Sequence, residues 1–436
     1  MKWIKIKDNQ YINKNKVIDV GNIIDRVTNK TLEKLENEGI FVFPEVLQDT
    51  KDMSKGQMII QNYNEGYLSG NVMGYLGVGD EYLTIESRFS TGGNDYFFQY
   101  ILNKVFDFPN FIDLMSSVGQ DEKFFTLIIF LFPYYLKHAL RKGVFKSYTC
   151  NKYNDENVKG RIDISRHIRK NTPFIGDVAY SRREYSFDNY LMELVRHTIE
   201  YIKSKSYGYK LLSKVKEEVK IIVNATSEYT YEERNLVIEE NSKNIIRHAY
   251  YNEYRMLQKL CLMILKVEKH SFIFGKQRIY GILFDGSWLF EEYINLIIGN
   301  KFYHPMNKSG LGRQYLFEGN IGMIYPDFIS KDVDNRIIAD AKYKPVDNIG
   351  NKDFLQIIAY IMRFDSKKGI FIYPEIDDNS ILNLNLNSGL TYENNVMKRE
   401  DTVIIKYGIK IPKYANSYID FVEKIYLEEK ELIEFI

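Results

Sequence analysis

The sequence predicts an α+β chain of several domains, and three observations carry this. The chain has 436 residues, more than one small core accommodates. Apolar alternation with a period of two dominates the first ninety residues and returns in scattered stretches later. Between these lie long segments whose apolar residues recur at three- and four-residue spacings, as in helices packed on one face. The expected order is a small β-rich N-terminal domain over 1–90, a mainly helical middle region with inserted strands over 91–245, and an α/β domain over 246–436.

The elements follow in order. WIKIK, GQMIIQNY and EYLTIESRF alternate as strands of a small barrel or sandwich. Gly66, Gly70, Gly74, Gly77 and Gly79 are expected at its tight turns. NDYFFQYILNKVFDF and DEKFFTLIIFLFPYYLKHALRKG read as helices. The second holds the longest apolar run, FFTLIIFLFPYYL, which contains Pro133, is too short to span a bilayer and is expected to be buried. Strand-like segments return over 145–185, with the basic run SRHIRKN in a loop-rich setting. SFDNYLMELVRHTIEYIKSK is an amphipathic helix with Leu191, Leu194, Val195, Thr198, Ile199 and Ile202 on one stripe, and YKLLSKVKEEVKII is a further helix. NIIRHAYYNEYRMLQKLCLMIL opens the last region. Then come the shorter helix WLFEEYINLIIGNKF, strand–turn–strand over 321–343, a helix over 353–364, the strand GIFIYPE, and a final strand and helix.

Composition narrows the function. Hydrophobic residues are 45%, charged residues 27% and the formal net charge +1. Such a chain folds without being a general polyanion binder, so any nucleic-acid surface is a local patch. The two cysteines, Cys150 and Cys261, exclude a disulfide framework or a four-thiolate cluster and fit a reducing, cytoplasmic setting. MKWIKIKDNQ does not read as a signal peptide. No G-x-x-x-x-G-K-[ST] is present, and SGLGRQ lacks the lysine and the strand-to-helix setting of a phosphate loop, so the chain is not expected to bind nucleotide phosphate by itself. There is no H-E-x-x-H and no serine elbow. The six histidines are scattered and are expected to be packed or surface residues.

Chemistry concentrates in IGMIYPDFIS KDVDNRIIAD AKYKPV. Read as a hairpin about KDVDN, it sets Asp327 nearly opposite Asp340, with Cβ atoms roughly 4.5–5.5 Å apart. Two carboxylates so close repel unless a cation lies between them. Asp340 and Lys342 share a strand face. A hard divalent cation takes one or two carboxylates from a protein, and a neighbouring ammonium stabilises charge developing on a phosphate. A hairpin with solvated charges fits the local features equally well. D-x-K also occurs at Asp49/Lys51, Asp121/Lys123 and Asp365/Lys367, but only the one at 340 lies in an apolar strand with a second aspartate facing it. Gln356 and Tyr360 lie one turn apart on the following helix, and Glu291 and Glu292 interrupt an apolar helix upstream.

A glutamate on a helix, then P-D, then D-x-K on the next strand, then Q-x-x-x-Y on a helix resembles the PD-(D/E)xK nuclease superfamily. LFEEYI followed by YPD and ADAKYK is similar, more narrowly, to the McrC family of McrBC-type modification-dependent restriction systems. LTIESRF, VKGRIDISRHI and FDNYLMELV extend the likeness upstream, with Ser87-Arg88 where that pattern has Pro-Lys. The resemblance implies a restriction-endonuclease-like C-terminal domain and a DNA endonuclease dependent on Mg²⁺, with Mn²⁺ as a substitute. It implies Asp327, Asp340 and Lys342 as the catalytic core, Gln356 and Tyr360 in support, and Asp327, Asp340 and Glu291 as metal ligands. It also implies a separate AAA+ GTPase or other NTPase ring that recognises and translocates modified double-stranded DNA. Arg166, Arg169, Lys170, Arg182 and Arg183 are candidates for meeting that ring. A homodimer through the nuclease half would serve a double-strand cut. A catalytically silent activator of an AAA+ motor and a stand-alone repair nuclease remain as alternatives.

Overall fold

The N-terminal sheet is assembled from distant parts of the chain. The computed structural model describes residues 2–38, 40–43, 57–91, 95–106, 120–270, 279–305, 313–376, 381–389 and 397–436. Two units form, one of Met1–Asp107 with Gly275–Ile436 and the other of Phe108–Phe274. The first 90 residues and the C-terminal region thus share one unit, and most of the middle region forms the other. Asp49/Lys51 and most of SGLGRQ lie outside the described residues.

The first unit opens with β1 (Lys2–Lys7), β2 (Tyr11–Asn13), α1 (Gly21–Val27), α2 (Leu32–Glu38), β3 (Ile40–Phe43), β4 (Ile60–Tyr63), β5 (Gly66–Ser69), β6 (Val72–Val78), β7 (Glu81–Glu86) and α3 (Tyr96–Phe106). Strands 2, 5 and 4 make a small antiparallel sheet. The larger sheet is completed by β11 (Ile279–Asp285), in the order β1-β7-β6-β11-β3. The helices α1 and α2 are not expected from the strand-like alternation. Ile23, Ile24, Val27, Leu32 and Leu35 are fully buried against Val42, Leu76, Leu83 and Leu283 of the sheet. Gly74 and Gly77 lie within β6 rather than at turns. Gly74 has φ +147°, and a Cβ there would run into the Ile282 carbonyl of β11.

The second unit contains α4 (Gln120–Leu140), β8 (Ser147–Asp155), β9 (Arg161–Ile162), α5 (Ile164–Lys170), β10 (Val178–Ser186), α6 (Tyr190–Lys203), α7 (Gly208–Leu212), α8 (Lys216–Ala225), α9 (Arg234–Lys243) and α10 (Asn252–His270). The stripe expected on α6 is buried as a set, and the Asn189 side chain caps its N-terminus by accepting from the Leu191 and Met192 amides. The single helix expected over YKLLSKVKEEVKII is split into α7 and α8 by a 3₁₀ turn at 213–215. The basic run SRHIRKN is a helix rather than a loop. Asp163 caps α5 by accepting from the Arg166 amide. The Arg166 guanidinium is bonded to the carbonyls of Tyr153 and Tyr180, at 2.9 and 2.5 Å, so it braces the β8–β10 sheet. Leu127, Ile128, Leu131 and Phe132 of α4 are buried. No helix among the described residues is long and apolar enough to cross a membrane.

After β11 the chain runs through α11 (Gly286–Ile298), β12 (Phe302–Tyr303), β13 (Gln314–Phe317), β14 (Ile321–Ile324), β15 (Phe328–Ser330), β16 (Ile337–Ala341), α12 (Asn351–Arg363), β17 (Lys368–Glu375), β18 (Ile381–Ser388), β19 (Met397–Lys410) and α13 (Tyr418–Phe435). Six of these strands form a mixed sheet in the order β12-β15-β16-β17-β19-β18, parallel from β16 through β19. Ile357 and Ile361 of α12 pack on Ile338 and Phe371 of that sheet. The strand expected over IGMIYPDFI is two strands. β14 pairs with β13 in a separate hairpin, and β15 pairs with β16. The break falls at Tyr325-Pro326, where proline has no N–H to give a ladder.

Candidate active site

The two aspartates meet at the mouth of the β15–β16 pair. Phe328 pairs with Ala339 and Ile329 with Ile338, so the register sets Asp327 opposite Asp340. The Ala341 amide donates to Asp327 Oδ2 at 2.9 Å, which ties the side chain of one strand to the backbone of the other. Asp340 is 1% exposed, in the middle of a strand whose neighbours Ile338 and Ala339 are fully buried. Lys342 Nζ lies 2.5 Å from Asp340 Oδ2. Apart from that ion pair, neither Asp340 oxygen accepts a hydrogen bond.

The helix α12 supplies the other side. Lys342 Nζ donates to Gln356 Oε1 at 3.4 Å and lies 3.7 Å from Asp353 Oδ1. Gln356 Nε2 donates to the Tyr360 hydroxyl at 2.7 Å, and that hydroxyl donates to the Tyr325 carbonyl at 3.1 Å. The chain from lysine to glutamine to tyrosine therefore ends on the backbone two residues before Asp327. Gly350 leads α12, and Asp353 in its first turn accepts from the Gly350 amide at 3.0 Å and from Lys344 Nζ at 2.7 Å.

Electrostatics make the pocket hungry for positive charge. Burial pushes the Asp327 carboxyl well above its ordinary value, and the charges of Asp340 and Glu291 push it further; Lys342 and the Ala341 amide oppose them. Burial alone would lower the Lys342 ammonium, but Asp340 and Asp327 outweigh it and raise it. Those two carboxylates hold the Lys342 side chain in its charged form. Burial pushes the Tyr360 phenol up to about 12, so it acts as a hydrogen-bonding group.

Glu291 enters from α11. His304 Nε2 lies 3.8 Å from Glu291 Oε1 and 3.7 Å from Glu292 Oε1, and His304 Nδ1 is 3.0 Å from the Asp327 carbonyl. Burial would lower the His304 imidazole, but Glu292, the Asp327 carbonyl and Glu291 outweigh it and raise it. Among the described residues no three carboxylate, imidazole or thiol groups converge into a ready-made metal cage. The donor set still suits a hard cation such as Mg²⁺, which takes one or two carboxylates and completes its shell with water and substrate oxygens. Asp340 Oδ1, buried and without a hydrogen-bond partner while Oδ2 is taken by Lys342, is the observation that fits such a guest.

Sequence reasoning finds Asp327, Asp340, Lys342, Gln356, Tyr360 and Glu291, and the structure gathers all six in one region. It misses His304, Asp353 and Lys344. Lys344 has a signal, because K-Y-K repeats the two-residue period. His304 arrives through the pairing of β12 with β15, which no local pattern announces.

Tyr343 anchors the strand on its far side. Its hydroxyl is 2.7 Å from the Ser87 hydroxyl, and its ring lies under the Arg88 guanidinium at 4.8 Å. Arg88 Nε donates to Asp8 Oδ2 at 2.9 Å. At Gly286, the first residue of α11, a Cβ would stand 2.6 Å from the Tyr343 ring. Glycine there lets the helix bearing Glu291 approach the strand bearing Lys342.

A family model described as "McrBC 5-methylcytosine restriction system component" matches residues 68–374. No curated protein matches. Solved structures to which the chain is similar come from Thermococcus gammatolerans. One is a chain of a refined half-complex from a tetradecameric assembly of McrB AAA+ hexamers with bound McrC, at 16% identity and a TM-score of 0.49, covering 100% of both chains. Another is a chain of the McrBC complex, at 16% identity and a TM-score of 0.30, covering 68% of this chain and 87% of that one. Likenesses this distant carry no argument. The family match does, since it spans well over half of the sequence and includes Glu291, Asp327, Asp340, Lys342, Gln356 and Tyr360. The chain belongs to the McrBC 5-methylcytosine restriction system component family.

Proposed function

We propose that this chain is the McrC-type nuclease subunit of its restriction system, a Mg²⁺-dependent DNA endonuclease whose C-terminal half is restriction-endonuclease-like. The observation that carries this is the register of β15 and β16, which sets Asp327 against Asp340 with Lys342 beside them. Asp327 and Asp340 would hold the cation, with Glu291 completing the acidic set. When bound, Mg²⁺ or Mn²⁺ supplies Lewis-acid polarisation of the scissile phosphate and a water acidic enough to attack it. Lys342 places a fixed positive charge where the phosphate oxygens gain charge in the transition state. Gln356 orients Lys342, and Tyr360 fixes Gln356 to the Tyr325 backbone.

The chain's partner in this reading is an AAA+ GTPase ring that recognises modified double-stranded DNA and drives it to the nuclease. The second unit would meet that ring through Arg169 and Lys170 at the end of α5 and Arg182 and Arg183 on β10, all exposed. Arg166, engaged with two carbonyls, would act only by holding that surface in shape.

The test is cleavage of modified and unmodified DNA by the chain, its ring partner, nucleotide and Mg²⁺, comparing wild type with Asp340→Ala. Cutting by wild type alone, with NTPase stimulation intact in both, is the expected result. Stimulation without cutting in either would replace the nuclease reading with that of a silent activator.

A further inference from the structure

Glu291 and Asp327 belong to different elements, and one imidazole spans them. We infer that His304 is a positioning residue of the cation site, holding the Glu291 carboxylate and the Asp327 backbone in register before any cation arrives. The inference rests on the nuclease reading above and adds a residue outside the motif that carries it.

Four neighbours surround the ring. Nδ1 lies 3.0 Å from the Asp327 carbonyl. A carbonyl only accepts, so Nδ1 carries a proton and Nε2 is the atom turned toward α11. There Nε2 lies 3.8 Å from Glu291 and 3.7 Å from Glu292. The ring also stacks on Phe328, with centroids 5.0 Å apart and planes 25° apart. Phe328 is itself fully buried and directly follows Asp327.

The backbone explains why such a clamp is needed. Asp327 stands one residue before β15 and directly after Pro326, at the break between two sheets. Its side chain is tied to the Ala341 amide, but its peptide plane lies outside the paired strand. Rotation of that plane would swing the carboxylate away from Asp340. The pairing of Tyr303 with Ile329 delivers His304 beside Phe328, where its Nδ1 closes on the Asp327 carbonyl. On the other side, Nε2 of the same ring faces the Glu291 carboxylate on α11 at 3.8 Å. Groups that orient metal ligands from behind typically change metal affinity about 10- to 100-fold when removed.

The experiment is a Mn²⁺ titration of the full-length chain, followed by the loss of the free-ion electron paramagnetic resonance signal. Wild type, Asp340→Ala, His304→Ala, His304→Phe and His304→Asn are compared. Asp340→Ala should lose the site. His304→Ala should bind about 10- to 100-fold more weakly with an unchanged circular dichroism spectrum. His304→Asn, whose amide N–H can replace Nδ1–H at the Asp327 carbonyl, should recover part of the loss. His304→Phe, which keeps only the stacking, should not. Recovery by Phe would reduce His304 to packing and overturn the inference. So would an Ala variant binding within about twofold of wild type while Asp340→Ala loses the site, and that outcome leaves the nuclease reading standing. Absence of saturable Mn²⁺ binding in wild type overturns both.

Discussion

The hydroxyl of Tyr343 lies 2.7 Å from the hydroxyl of Ser87, although the two are 256 residues apart in sequence. Tyr343 directly follows Lys342, so the strand that carries the proposed catalytic lysine is moored to the N-terminal sheet. Tyr343→Phe removes the buried hydroxyl's contacts with the Ser87 hydroxyl and the Met73 sulfur and should lower stability by about 1–2 kcal/mol. Tyr343→Ala opens a cavity beneath Arg88 and against Gly286 and should cost about 3–5 kcal/mol. Chemical denaturation of both variants, beside their cleavage rates, checks this: the Ala variant should lose activity at temperatures where the Phe variant keeps most of it.

Lys342→Met keeps the aliphatic stem and removes the charge. Loss of one fixed group that stabilises transition-state charge should lower the cleavage rate about 10²- to 10³-fold. Binding of duplex DNA, measured by fluorescence anisotropy, should change far less. An equal fall in both would assign Lys342 to substrate binding instead.

Asp8 is fully buried, and Arg88 pairs with it through its backbone amide, Nε and Nη2. Removing one partner strands the other. Arg88→Met should destabilise the first unit by about 3–5 kcal/mol, whereas Asp8→Leu combined with Arg88→Met should recover much of it. A double-mutant cycle in urea gives the coupling directly.

Asp95 accepts from the Ser87 amide at 2.6 Å and from the Phe98 amide at 3.2 Å, capping α3. Burial pushes its carboxyl up to about 7, against an ordinary value of 3.8. The folded state therefore favours the protonated acid. The stability it contributes is complete below about pH 4 and is lost as pH rises through about 7. The full loss is on the order of 4 kcal/mol at 1.36 kcal/mol per pH unit. Asp95→Asn should flatten the stability–pH profile between those limits, as read from thermal unfolding in a buffer series.

Much of the candidate site is legible in the sequence because its logic is local. The turn at KDVDN, the period of two in ADAK and the one-turn spacing of Gln356 and Tyr360 each follow from short stretches, and together they place five residues. The α6 stripe is legible for the same reason. What stays hidden depends on partners remote in sequence. β7 reads EYLTIE and is buried along its whole length, because β1 and β6 flank it. Neither neighbour can be named from that stretch. His304 depends on the β12–β15 pairing and Tyr343 on Ser87. The helices α1 and α2 escape a local reading because strand-like alternation on either side sets the expectation. Ser87-Arg88, which in the sequence is only a departure from the family pattern, supplies the hydroxyl that meets Tyr343, the guanidinium that covers its ring, and a backbone N–H for Asp95 that proline could not give.

The place of β11 between β6 and β3 sets a rule for dissecting this protein. A fragment beginning near residue 246 would carry Ile279–Asp285 while leaving both of its hydrogen-bonding neighbours behind. That segment, IYGILFD, would then present two bare edges and a run of buried-type side chains, a template for aggregation rather than a soluble half-enzyme. A shortened chain meant to isolate the nuclease chemistry should instead lose residues 108–274 and have the flanking segments rejoined, which keeps the five-stranded sheet whole.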